Sequence, residues 1–256
     1  MRTLAIIPAR YASTRFPGKP LALLGGKPMI EWVWDCVAAL PALDEAVIAT
    51  DDKRIVEAAE AFGGRAMMTS STHRSGTDRC GEVLETLEAD GRMFDVVINI
   101  QGDEPFVQQE QLKSLLACFE DHDTQIATLK TAIATVEELC SPNNVKVVCD
   151  REGHALYFSR QPIPYLRGAE KDEWLQRQSY YKHVGIYAFR ASVLKELVHL
   201  SPSPLELSES LEQLCWLENG YPIRVSQTLT SNMGIDTPED LLAAEQYLAN
   251  RNTNKK

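Results

Sequence analysis

Three cations placed just behind an apolar run raise the first chemical question about this chain. Leu4–Pro8 leads into a segment carrying Arg10, Arg15 and Lys19, which Pro17, Gly18 and Pro20 bend and stiffen. Two planar guanidinium forks and one point charge suit a polyphosphate. The first thirty residues hold Arg2, Arg10, Arg15, Lys19 and Lys27 and no acid at all. A solvated basic loop is the plainer reading, but so many cations at the end of a buried strand favour a bound anion. Lys19 and Lys27 each follow Gly but precede Pro, so the segment fits neither GxxxxGK[ST] nor GxGxxG, and the usual kinase and dinucleotide readings lose ground.

Acids come next. Asp103 lies in Gln101–Gly102–Asp103–Glu104–Pro105, directly after the apolar run Val96–Ile100. A carboxylate there can hold Mg²⁺ against phosphate oxygens or simply shape a turn; opposite a basic loop, the metal reading gains. A second carboxylate is then needed. Asp236, in Gly234–Ile235–Asp236–Thr237–Pro238, is the best placed, with N-capping of the last helix as its alternative role. In the polar loop His73–Arg79, Ser75 and Gly76 would let backbone groups approach a base or phosphate. Arg160, at a strand end, and His183, at a strand start, could grip a substrate carboxylate, although a lone histidine is more often structural. Glu206, Glu209 and Glu212 follow a three-residue step that predicts one helix face, either solvated or facing sugar hydroxyls. No GxSxG or HExxH motif is present to support a hydrolase.

The chain's 256 residues allow one large domain or two small ones, with 44% hydrophobic and 24% charged residues, ordinary for a globular protein. A net charge of −10 argues against a nucleic-acid or anionic-membrane binder. Cys36, Cys80, Cys118, Cys140, Cys149 and Cys215 are too widely spaced for CxxC motifs or zinc knuckles. With no secretory leader or membrane span in view, they read as free thiols of a soluble, cytoplasmic protein. Apolar runs at Leu4–Pro8, Ala46–Ala49 and Val96–Ile100 alternate with helical patterns from Met29, Ile55 and Val83. The pattern predicts an α/β fold, a mostly parallel sheet with helices on both faces, and polar loops converging beyond the strands' carboxyl ends. Strand-like runs at 125–133, 145–150, 156–160, 183–189 and 223–227, with a helix over 205–218, predict a mixed-sheet extension from about residue 125. We expect one domain over 1–249, with halves near 1–124 and 125–230, and a frayed tail over 250–256.

The segment IIPARYASTRFPGKPL resembles the N-terminal signature of bacterial sugar-acid cytidylyltransferases, in particular the branch acting on 3-deoxy-manno-octulosonate (Kdo). GKPMI, IATDD, HRSGTDR, NIQGDEP, ALYFSR, KHVGIYAFR, SPLE, LEQL and GIDTPEDL follow in that family's order. The resemblance implies a Rossmann-like nucleotidyltransferase fold, akin to nucleotide-diphospho-sugar transferases, with a dimerisation extension. It implies transfer of CMP from CTP to Kdo with release of pyrophosphate, for lipopolysaccharide biosynthesis, with Mg²⁺ and a homodimer. By motif, Arg10 and Lys19 would bind the triphosphate with Arg15 beside them, and Ser75 and Gly76 would approach the cytosine. Asp103 and Asp236 would hold Mg²⁺, and Gln101 and Asp103 would also face CTP. Arg79, Gln101, Arg160, His183 and Tyr187 would line the sugar-acid pocket, with Glu209, Glu212 and Gln213 nearby. Where the family commonly reads LEQLR, this chain has Cys215 after Leu214. Cytidylyltransferases acting on sialic acid or on a methylerythritol phosphate, and a nucleotide-binding protein without catalysis, are the rival readings.

Overall fold

A computed structural model describes residues 1–12, 16–230 and 234–253, the last three by their backbone alone. They form two compact units, Met1–Gln109 with Asn232–Lys256, and Glu110–Ser231.

In the first unit, β1 (Thr3–Ala9) is buried along its whole length, so both its faces are covered. A short hairpin of β2 (Leu23–Leu24) and β3 (Lys27–Pro28) then leads into α1 (Met29–Ala38). Met29, Ile30, Val33 and Val37 recur at helical spacing and form the buried face of α1. β4 (Glu45–Thr50), α2 (Lys53–Ala61), β5 (Ala66–Met68), α3 (Gly76–Ala89) and β6 (Val96–Asn99) follow. β1 pairs in parallel with β4 and with β6, and β4 pairs in parallel with β5. Parallel pairing sends the carboxyl ends of β1, β4 and β6 to the same edge, as the alternating pattern predicts.

The second unit begins with α4 (Gln109–Ala117), apart from that helix's first residue. Gln111 has no exposed surface, and its amide donates to the Thr230 carbonyl at 3.3 Å. The division between the two units falls at 109/110. β7 (Ile126–Ala132), α5 (Val136–Cys140), β8 (Lys146–Cys149), β9 (Ala155–Ser159), α6 (Trp174–Arg177), β10 (Tyr181–Arg190) and α7 (Ala191–Leu197) come next. β7 lies between β11 (Ile223–Gln227), its parallel neighbour, and antiparallel β10, while β8 pairs antiparallel with β9 and β10. This is the mixed sheet expected from residue 125.

The helix predicted over 205–218 is two, α8 (Pro204–Glu209) and α9 (Glu212–Glu218). Ser210, with φ 51°, takes the left-handed conformation between them and ends the first. Glu206, Glu209 and Glu212 therefore do not share one helix face. The chain returns to the first unit in α10 (Pro238–Thr253), so the expected tail begins as that helix's last turn and residues 254–256 lie outside the described set.

One buried cation organises the second unit. Lys146 has no exposed surface and donates to the carbonyls of Ser141 (2.9 Å), Asn144 (2.5 Å) and Arg160 (2.5 Å). Burial pushes its ammonium below the usual lysine range. Lys146→Met removes all three donors and leaves acceptors buried without partners. We expect a loss of about 2 kcal/mol or more, read as a lowered urea midpoint with an unchanged m-value.

Candidate active site

Arg10 follows β1 directly, and Arg15 lies outside the described residues. The Gly18 N–H donates to the Tyr11 carbonyl at 2.9 Å. Gly18 is required there: its φ is +72°, and a Cβ would stand 2.9 Å from the Tyr11 ring. Lys19 then opens a 3-10 turn with Pro20 at its second position. Lys27, by contrast, pairs with Asp35 at 2.5 Å and lies 4.1 Å from the Trp32 ring centroid, so its charge is already engaged.

Gly102 brings Asp103 to the end of β6. The Gly102 N–H donates to the Pro8 carbonyl, and a Cβ at 102 would lie 3.0 Å from both Pro8 O and Ile30 Cδ1. The Asp103 carbonyl accepts from the Ile235 N–H at 3.1 Å, which brings in the start of α10. Ile235 is fully buried with Leu24, Met29, Phe106, Ala244 and Leu248. Thr237 and Asp240 cap that helix reciprocally: Asp240 N–H donates to Thr237 Oγ1, and Thr237 N–H to Asp240 Oδ2. Capping thus falls to Thr237, and the Asp236 carboxylate turns to another partner. Lys19 Nζ donates to Asp103 Oδ2 at 2.5 Å and to Asp236 Oδ1 at 3.0 Å.

These groups share a cavity of about 170 Å³ with Arg10, Ser75, Gly76, Arg79 and Gln101. Arg10 is exposed. Ser75 caps α3, its Oγ accepting from the Asp78 N–H at 3.0 Å, which leaves its hydroxyl proton available to a ligand. Gln101 donates to Asn99 Oδ1 at 3.2 Å. Arg79, expected among sugar-acid residues, is 3% exposed and spends its guanidinium on Thr69 and on Asp51 (3.2 Å). It is a wall of the cavity whose charge is internally balanced. Pro8, Pro20, His73 and Gly102 line the cavity as well. Of these, Pro20, His73 and Gly102 carry a sequence signal: Pro20 in the stiffened basic segment, His73 at the start of a polar loop, and Gly102 between a strand end and an acid.

The remaining sugar-acid candidates belong to the second unit. Arg160 does not present its fork to a ligand: Nε donates to the Glu209 carbonyl (2.6 Å), Nη1 to Pro142 (3.0 Å) and Nη2 to Ser210 (3.2 Å). Glu209 accepts from the Ser159 hydroxyl (2.7 Å) and the Arg160 N–H (2.9 Å), so the two residues bolt the end of β9 to α8. His183, Tyr187, Glu212 and Gln213 present a different arrangement. β10 bulges between Val184 and Tyr187, and the Thr128 hydroxyl bonds the carbonyls of Val184 and Ile186 and His183 Nε2 (2.9 Å). The His183 residue keeps some surface, but its ring packs against Phe158 and Tyr187, each at 5.2 Å, and burial pushes the imidazole down to about 3. The Tyr187 hydroxyl is buried with no hydrogen-bond partner in bonding geometry among the described residues. Burial first, and then the charge of Glu212, raise its pKa well above the usual phenol value. Gln213 is 5% exposed. Cys215 is buried, its thiol donating to the Ser201 carbonyl at 3.3 Å, so this position serves packing.

A family model described as cytidylyltransferase matches residues 4–227. The chain is similar to a 3-deoxy-manno-octulosonate cytidylyltransferase of Bacteroides thetaiotaomicron, 55% identical over 254 residues that cover 98% of this chain and 100% of the relative. One so named from Geobacter metallireducens is 47% identical, covering 94% and 95%. A solved structure of a CMP:2-keto-3-deoxy-manno-octonic acid synthetase complexed with CTP superposes with a TM-score of 0.89 at 40% identity, covering 98% and 100%. A 4-diphosphocytidyl-2C-methyl-D-erythritol synthase from Anaerococcus prevotii, 18% identical, covers 97% and 96% with a TM-score of 0.61 and shares the fold.

The buried imidazole sets a pH dependence. Its folded value of about 3 lies below the ordinary 6.5, so its contribution to stability is complete above 6.5 and is lost as the pH falls from there towards 3. In the folded protein the His183 Cε1–H resonance is expected to stay at its neutral position from about pH 8 to about pH 5. His183→Gln should flatten the loss of stability over the same window, measured by urea denaturation.

Proposed function

The chain belongs to the cytidylyltransferase family, and on that footing we propose that it transfers CMP from CTP to Kdo, releasing pyrophosphate and activating the sugar for lipopolysaccharide biosynthesis. The observation that carries this reading is the convergence of Asp103, Asp236 and Lys19 in one cavity at the carboxyl end of the parallel sheet. The identity to relatives named for Kdo supports the choice of acceptor over sialic acid or a methylerythritol phosphate.

The anomeric hydroxyl oxygen attacks the α-phosphorus in line. A new P–O bond forms as the bond to the β-phosphate's bridging oxygen breaks, and the hydroxyl proton passes to solvent. Such a transfer asks chiefly for positioning and for charge opposite the phosphates. Arg10 and Lys19 neutralise the leaving pyrophosphate, with Arg15 assigned beside them by its place in the motif. Ser75, Gly76 and Gln101 bound the nucleotide. In the second unit the Tyr187 hydroxyl, Gln213 and Glu212 offer hydrogen-bonding groups suited to sugar hydroxyls, and His183 orients Tyr187.

Asp103 and Asp236 fit Mg²⁺, since hard carboxylate oxygens from two separate elements already share one cation. When bound there, the ion supplies positive charge against the phosphate oxygens. Among the described residues no helix is long and apolar enough to cross a membrane, and no disulfide links the six cysteines. The reading includes a homodimer in the cytoplasm and no nucleic-acid partner.

Pyrophosphate release from CTP across Kdo, a sialic acid and 2-C-methylerythritol 4-phosphate, each with and without chelator, tests the reading. Release is expected with Kdo alone, and chelator should abolish it. Release with another acceptor alone would keep the CTP site and overturn the acceptor. Asp103→Asn should fold and lose on the order of 10²-fold or more in turnover, and wild-type rates from the folded variant would remove Asp103 from the site.

A further inference from the structure

Lys19 sits where a divalent cation would. Its ammonium bridges one oxygen from each of the two carboxylates assigned to the metal, at 2.5 and 3.0 Å, and its side chain is only 12% exposed. The position is built: Gly18 in the left-handed conformation and Pro20 in the following turn fix the lysine's backbone. Two carboxylates drawn this close repel one another unless a cation lies between them. Arg10, exposed in the same cavity, is a cation that an arriving triphosphate can meet first.

We propose that Lys19 is an internal placeholder for the divalent cation, so that the carboxylate pair opens to metal only when a nucleotide triphosphate draws the ammonium onto its phosphates. The inference rests on the metal reading of Asp103 and Asp236 and adds an order to it. Without nucleotide, Lys19 competes for both carboxylates and metal binds weakly. With CTP present, the ammonium trades two carboxylate oxygens for phosphate oxygens, and the vacated pair takes the ion. Metal and nucleotide therefore bind cooperatively, each tightening the other by the same factor. The device keeps the acids neutralised at all times, either by the chain's own cation or by the ion that accompanies the substrate.

Mn²⁺ binding to the full chain without nucleotide, followed by the loss of the free-ion EPR signal, tests this directly. Lys19→Gln keeps a polar side chain without the charge. It is expected to bind nucleotide-free Mn²⁺ about tenfold or more tightly than wild type, and the double variant Lys19→Gln/Asp103→Asn should lose that gain. In parallel, water-proton relaxation of the ternary Mn²⁺–CTP complex should be enhanced by wild type and not by Asp103→Asn. If that enhancement depends on Asp103 while Lys19→Gln binds nucleotide-free Mn²⁺ no better than wild type, the placeholder is overturned and the metal site stands. If neither signal depends on Asp103 or Asp236, the metal site falls and the placeholder with it.

Discussion

Holding two carboxylates side by side is the electrostatic constraint on which the first unit's site depends. Asp103 ends β6 and Asp236 precedes α10, and the hydrogen bond from Ile235 N–H to the Asp103 carbonyl makes them neighbours. Unneutralised, the pair would repel by on the order of a few kcal/mol, in an element junction that a buried Ile235 otherwise pins. Lys19 resolves the conflict, and the rest of the unit positions Lys19: a fully buried β1 carries the chain to the edge, and Gly18 turns it. The same charges that stabilise the resting arrangement are the ones a phosphoryl transfer requires. Structure and chemistry share one set of atoms here.

Much of this was legible in the sequence because it is periodic or local. β1, β4 and β6 announce themselves as short apolar runs stopped by polar loops, and α1 by its 3.6-residue spacing. Asp103 and Lys19 follow from their places after such runs. Arg79 and Arg160 are legible as residues, and their intramolecular partners are not. Each looks like a ligand-binding arginine, yet one pairs with Asp51 and the other spends its three nitrogens on carbonyls. Partners that distant in sequence leave no periodic trace. Asp236 was ambiguous for a different reason: capping by Asp236 and capping by Thr237 differ by one residue, and only the hydrogen bonds of Asp240 separate them. The break at Ser210 leaves no trace in the sequence because serine carries no strong stop signal.

The second unit works by a different economy. Its buried Lys146 and the Arg160–Glu209 bolt use full charges to tie loops whose backbone carbonyls would otherwise lack donors. Its bulged β10 displaces Tyr187 relative to His183, and Thr128 supplies the hydroxyl that the irregular carbonyls need. Charge there is used up internally, at Lys146, Arg160 and Glu209.

Trp216 stands edge-on to Tyr187 at 5.0 Å and to Phe189 at 5.3 Å, itself 2% exposed. An indole so enclosed emits from an apolar surrounding, and the Tyr187 phenol is one of the two rings against it. Trp216 therefore ties α9 to two rings of β10 through edge contacts.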